Sequence, residues 1–262
     1  MSQQVRKRNQ KTLKHERNNK VNEQLSRGMV YREMQLRFRG ALTLAAGDNT
    51  AANLKKGNEY ALIRRIQIIA NNTDVIREIT GTDLFWLNWH LFGRTPNFSS
   101  EMGGDEANPS WDNFLTLPIW IPRSLRSMDT ALDARQLSDL KIEVDWGDAA
   151  DVNANATGFE TSPTVDVSSV ESFNVSGPFS QWRFYGIEKT IDASNRQFQV
   201  SIPVNYMYRG FFINTISDGA DTDQILNNFK FQSGTTVFAD QSAKVLQEEY
   251  ITRYDLGTAP QL

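Results

Sequence analysis

Residues 56–93, KGNEYALIRRIQIIANNTDVIREITGTDLFWLNWHLFG, constrain the chain most, because they read as strand, polar turn, strand and short helix in immediate succession. Tyr60, Leu62, Ile66, Ile68 and Ala70 share one parity and form one face of an extended segment. Arg64 breaks that face, while Ile63 and Ile69 make the other face partly apolar, so the strand is expected to be covered on both sides along part of its length. Asn71-Asn72-Thr73-Asp74 supplies turn chemistry ahead of Val75–Ile79, which predicts a hairpin. Thr82 is expected to cap a helix from Asp83 to Phe92, with Gly93 as its stop. That helix carries Leu84, Phe85, Trp86, Leu87, Trp89, Leu91 and Phe92, too many large apolar groups for a helix facing water. It is expected to cover a barrel end or to meet another subunit.

The same order returns over 205–257. NYMYRGFFINTIS leads through DGADTD to QILNNFKF, predicting paired strands around 206–232, and then to a helix over 240–254 capped by Asp240. Between and around the two copies lie short alternating stretches: Met34, Leu36, Phe38 and Gly40; Leu140, Ile142, Val144 and Trp146; and Phe198, Val200 and Ile202. Extended pieces are also expected at 165–175 and 182–187, and a strand at 112–121 whose Pro118 and Pro122 place it at an edge. Many short strands with two helices exclude a doubly wound nucleotide-binding fold. The expected class is all-β, a sandwich or jelly roll.

Charge marks the ends of the plan. Residues 1–32 hold nine Lys or Arg against Glu16 and Glu23, giving +7 there and -10 over the rest of a chain of net charge -3. Residues 1–28 therefore read as a basic arm, mobile or ordered only by a partner, with Arg6, Lys7, Arg8, Lys11, Lys14, Arg17 and Lys20 available to an anionic surface. The arm lacks interleaved aromatic residues, so sequence-specific reading of nucleic acid is not expected. Residues 29–150 form the first expected unit, the small and turn-rich 151–164 a linker, and 165–262 the second unit. No apolar run is long enough for a membrane span or a signal-peptide core, which predicts an intracellular protein.

No catalytic cluster stands out, and the expectation is a protein that is not an enzyme. The chain has no cysteine and only His15 and His90, which excludes thiolate chemistry and multi-histidine metal centres. Asp218, Asp221 and Asp223 could hold a calcium ion, but DGADTD departs from the EF-hand order and reads as a hairpin turn, so no cofactor is expected. Asp145, Asp148 and Asp151 read as a solvated turn in the same way. A second reading is a carbohydrate-binding module or sandwich glycosidase using Trp111, Trp120, Trp146 or Trp182, and a third is a minor coat or spike component.

The block IRRIQIIANNTDVIREITGTDLFWLNWHLFG, the stretch DLKIEVDW, and YRGFFINTISDGADTDQILNNFKF with its following helix resemble the double jelly-roll major capsid proteins of tailless icosahedral bacteriophages with an internal membrane. The corticovirus-like and flavobacterial lipid-containing phages are the groups it resembles, over most of residues 29–257. The resemblance implies two tandem jelly rolls with short helices. It further implies trimers forming pseudo-hexagonal capsomers, penton and minor capsid proteins as partners, and a location in the virion capsid after assembly in the host cytoplasm. It places the basic arm against the internal membrane or inner face, and Phe85, Trp86, Trp89, His90 and Phe92 near subunit boundaries. The family pattern also puts further strands after the second helix, so the second barrel is expected to be incomplete, with a C-terminal portion missing.

Overall fold

The computed structural model describes residues 4–55, 57–92, 96, 98–104, 106–121, 127–191, 198–204, 208, 210–213, 215–217, 220–221 and 226–254. Strands dominate it. In chain order they are β1 (Gln4–Lys14), β2 (Lys20–Gln24), β3 (Val30–Thr43), β4 (Ile63–Ala70) and β5 (Asp74–Ile79), followed by helix α1 (Gly81–Phe92). Then come β6 (Ser110–Pro118), the two-residue β7 (Leu132–Asp133), β8 (Leu140–Trp146) and β9 (Gly158–Phe173). The short hairpins β10 (Ile216–Ser217) with β11 (Ala220–Asp221) and β12 (Asn228–Ser233) with β13 (Thr236–Ser242) precede helix α2 (Ala243–Tyr254).

Eight of these strands, with the two-residue β7 as a ninth, make two facing antiparallel sheets. One runs β1-β9-β3-β6, with β7 added beside β3, and the other runs β2-β8-β4-β5. Apart from the β4–β5 hairpin and the short β7, successive strands cross between sheets, and the last two, β8 and β9, return between the earliest ones, which is the jelly-roll arrangement. Side chains from both inner faces interdigitate: Leu13, Leu36, Phe38, Leu115, Leu117, Val165 and Val167 meet Ile66, Ile68, Ile142, Val144 and Trp146. Each such side chain contributes roughly 1.5–3 kcal/mol by leaving water, before chain entropy is set against it.

The local devices follow from the residues. A register shift between Ile63 and Arg65 lets Arg64 and Arg65 both face solvent while Ile63 and Ile66 stay buried, which resolves the break in the apolar face. Residues 58–62 form a 3-10 turn instead of the start of that strand. At Gly40, any Cβ would lie 2.4 Å from the Trp111 indole, so the missing side chain is the space the indole fills. Pro163 sits where β9 slips register against β3, the place in a central strand that tolerates a residue without an N–H.

Three expectations are corrected. Residues 4–24 are not a free arm: β1 pairs with β9 over its whole length and β2 pairs with β8, because Leu13 and Leu25 are buried and Val21 packs against the core. The span 151–164 is not a linker, since β9 begins at Gly158 and ends at Phe173, so the first sandwich runs from residue 4 to residue 173. Beyond it the described residues form no sandwich. No strand is found among the described residues at 182–187 or 198–202; the longer hairpin lies at 228–242, and much of the expected pair around 206–232 falls outside the described residues. The following helix starts at Ala243, with Val245 N–H donating to Ser242 Oγ in place of Asp240.

The chain leaving β9 is stitched back onto the first sandwich. Arg135 donates to Val175 O and stacks on Phe179, and Arg183 makes a bidentate pair with Asp74 on β5. Trp182 and Phe184 lie against Arg77, whose guanidinium donates to the carbonyls of Ile76, Pro118 and Ile119.

Candidate assembly surface

Helix α1 packs against the edge strand β6, the 58–62 turn and β4. Its start is set by Thr80, whose hydroxyl accepts from Asp83 N–H, and not by Thr82. Leu84, Phe85, Leu87 and Asn88 form its buried face. Phe85 is a core residue, packed on Phe98 at 4.4 Å and Tyr60 at 5.2 Å between ring centres, which corrects its reading as a subunit contact. Trp86 and Trp89 are half-buried and meet edge to face at 6.1 Å; Phe92 is also half-buried. His90 stacks on Tyr250 of α2, 4.3 Å between ring centres, so its ring is engaged within the chain.

Asn88 uses both ends of its amide on the edge of β6, donating to Thr116 O and accepting from Thr116 N, each at 2.8 Å. Pairing with β3 turns the backbone groups of the even-numbered residues of β6 toward this edge. Ser110 N–H is met by Glu101 and Pro118 O by Arg77, which among the described residues leaves Asp112 and Phe114 as the open stretch. Phe114 is 61% exposed, with the Arg37 guanidinium 5.5 Å from its ring and bonded to Asp112. An edge closed at both ends and open in the middle is protected against long strand pairing.

The basic residues of the N-terminal segment are distributed over strands and largely paired. Arg6 pairs with the buried Glu171 at 2.7 Å, Lys11 with Glu23 at 3.2 Å, Arg17 with Asp148 at 2.5 Å and Lys20 with Glu143 at 3.4 Å. Lys7, Arg8 and Lys14 are exposed and have no carboxylate at ion-pair distance among the described residues.

Apart from Val5 on β1, the remaining large exposed apolar side chains among the described residues lie after residue 173. Val204, Phe211, Phe212, Ile213, Val237, Phe238 and Val245 are each at least 41% exposed. Phe229, Phe231 and Phe238 of the β12–β13 hairpin form a chain of aromatic contacts with Phe211.

The residues of the alternative readings scatter. Trp111 and Trp146 are 4% and 0% exposed and belong to the core, Trp120 lies under Arg32, and Trp182 under Arg77, so these rings offer no shared sugar-binding face. Of the three carboxylates read as a turn, Asp148 and Asp151 form one, capping residues 149–151 and pairing with Arg17 and Arg64, whereas Asp145 lies in β8. His15 packs on Trp146 and Phe159, remote in sequence and contacts from His90. Asp218 and Asp223 lie outside the described residues, as does the side chain of Asp221. Among the described residues no group of three His, Asp or Glu could hold a metal ion, and no helix is long and apolar enough to cross a membrane.

Sequence reasoning passed over three buried charges: Glu171, already described with Arg6, and Glu59 and Arg77. Glu59 accepts from Ser99 N–H at 3.0 Å and Asn113 at 2.6 Å, leaving its second oxygen unpartnered, and burial raises its carboxyl above the ordinary range. Arg77 is 2% exposed, and burial, aided by nearby Arg183, pushes its guanidinium down to about 9. Asn88 was also legible only as a polar residue inside an apolar helix. Thr80 did carry a signal, the Thr-x-x-Asp spacing of a capping box.

No protein-family model matches the chain, and no curated protein matches it. Solved structures do. It is similar to the STIV MCP, with a TM-score of 0.49 and 10% identity over 68% of this chain and 49% of that one. The PBCV-1 virus capsid matches with a TM-score of 0.45 and 16% identity, over 66% and 42% of the two chains. The major capsid protein P2 from bacteriophage PM2 matches with a TM-score of 0.36 and 12% identity, over 63% and 51%. The chain thus spans about half the length of the solved structures it matches. At such identities and TM-scores, the fold is read from the strand order itself.

Proposed function

We propose that this chain is a non-catalytic shell protein: a major capsid protein that self-associates as trimers and tiles an icosahedral capsid over an internal membrane. The observation that supports it most is the contrast between a closed jelly roll and the exposed aromatic surface that follows it. An aromatic surface of that extent is expected to be covered by neighbouring copies or by the partner strands of a second barrel. The sequence resemblance to double jelly-roll capsid proteins supports the same reading. In it, rigid sandwiches associate by complementary burial, with Trp86, Trp89, Phe92 and the Asp112–Phe114 edge among the contacts. Lys7, Arg8 and Lys14 are the cations left for an anionic inner surface, each worth about 1 kcal/mol there.

Native mass measurement and analytical ultracentrifugation test this directly. Trimers and larger species at high concentration are expected, together with recovery of the chain in purified particles at shell stoichiometry. A monomer at every concentration, absent from particles, would overturn the proposal. Recovery at only a few copies per particle would convert it to the minor coat or spike reading.

A further inference from the structure

After β9 the chain runs back along the outer edge of β5. Arg183 lies on Asp74 and Val75, Trp182 and Phe184 lie against Arg77, and Gly186 sits beside Glu78, so residues 182–186 travel parallel to the strand. β5 is the last strand of its sheet and pairs on its other side with β4. A chain in that place ordinarily joins the ladder. Here, among the described residues, the one backbone–backbone bond from 174–191 to the sandwich runs from Ser180 N–H to Asp129 O.

Side chains hold the segment instead. The Arg183 guanidinium spans both oxygens of Asp74, at 2.5 and 2.8 Å, and among the described residues this is the one ion pair joining 174–191 to the sandwich. The same charge also opposes closure. Arg77 lies buried against Trp182 and Phe184 with three carbonyls as acceptors and no carboxylate among the described residues. Its burial and the nearness of Arg183 both disfavour its cation. Lifting the segment returns Arg77 to water and separates the two cations, so closure is a balance of opposed effects with Asp74 as the catch. Once lifted, the segment leaves Asp74 and Arg183 each without the other. A second copy carries the complement of both, and exchanging an identical element between copies remakes the same bonds at little cost.

We propose that residues 179–187 are an exchangeable strap, held by Asp74 of the same copy in the dilute chain and by Asp74 of a second copy when chains meet. In either state the strap lies over the edge of β5 and keeps it from pairing with other strands. Exchange needs copies to meet but not to build a shell, so mixed oligomers from a chain that never enters particles would overturn the capsid reading and leave the strap standing.

Charge reversal on the full chain tests it. Trypsin cuts after Arg183 and after the exposed Lys189, and the ratio of the two rates reads strap opening with an internal reference. Asp74→Arg, remote in sequence from both cleavage sites, is expected to raise that ratio about tenfold by facing Arg183 with a like charge. Asp74→Arg and Arg183→Asp each lack a closing pair alone, but together they complete both pairs between copies. Mixed in equal amounts, one of them isotopically labelled, they are expected to give mixed oligomers above the statistical share in native mass spectrometry, with Arg183 protected again. The double variant Asp74→Arg/Arg183→Asp carries the pair reversed and is expected to associate as the wild type does, which controls for folding. A cleavage ratio that Asp74→Arg leaves unchanged would overturn the catch, and mixed oligomers at or below the statistical share would overturn the exchange.

Discussion

Residues 4–173 and residues 174–254 carry similar sequence patterns and reach opposite ends of the burial scale. In the first region, Tyr60, Ile66, Ile68 and Phe85 of a strand-turn-strand-helix block are wholly buried, because six further strands and α1 surround them. In the second, Phe211, Phe238 and Val245 occupy a comparable pattern and remain exposed, because the two short hairpins and one helix found among the described residues cannot enclose a core. Apolar periodicity reports what a segment can bury. The number of neighbouring strands decides what it does bury.

The contrast is broken most severely by opening the first core. Trp146→Ala is expected to destabilise the chain by about 3–5 kcal/mol in urea unfolding, whereas Phe238→Ala in the dilute chain is expected to change stability by no more than about 0.5 kcal/mol. Equal effects at the two positions would mean that the second region has a core of its own. Gly40→Ala sharpens the claim from the overpacked side. Its methyl group collides with the Trp111 indole, and a loss of about 1–3 kcal/mol is expected from the same measurement.

Asn88→Ala tests the closed edge of β6. It strips partners from both backbone groups of Thr116, with an expected loss of about 1–3 kcal/mol. A rise in self-association, read by light scattering, is expected to accompany it as the open stretch at Asp112 and Phe114 lengthens.

The smallest expected effect concerns Glu59. Burial raises its folded-state value above 4.5, so the neutral form favours folding. Its stabilising contribution is full below pH 4.5 and is lost as pH rises through the folded value. Glu59→Gln is therefore expected to gain stability relative to wild type at pH 8, the difference closing toward pH 4 in paired unfolding curves.

What was legible in the sequence follows the same division. β3, β4, β5 and β8 were readable because alternate residues such as Leu36 and Phe38, or Ile142 and Val144, all enter one core. β1 and β2 were not, because they lie at sheet edges and bury little beyond Leu13, so their lysines and arginines looked like a solvated arm. The first part of β9, GFETSPT, reads as a loop by composition and is held extended by β3. At the candidate surface, the aromatic content of α1 was plain. Which rings face inward depends on the direction from which β6 and Phe98 approach, and no local pattern encodes that. Trp86 and Trp89 remained accessible while Phe85 did not.

Hydrogen exchange followed residue by residue, on the dilute chain and on the concentrated assembly, addresses the central claim most directly. Amides of β1, β3, β8 and β9 are expected to exchange slowly in both states, and those of 226–254 to become protected only on assembly. Protection of 226–254 in an isolated monomer equal to that of β9, or exchange of β1 as fast as an unstructured arm, would contradict the account.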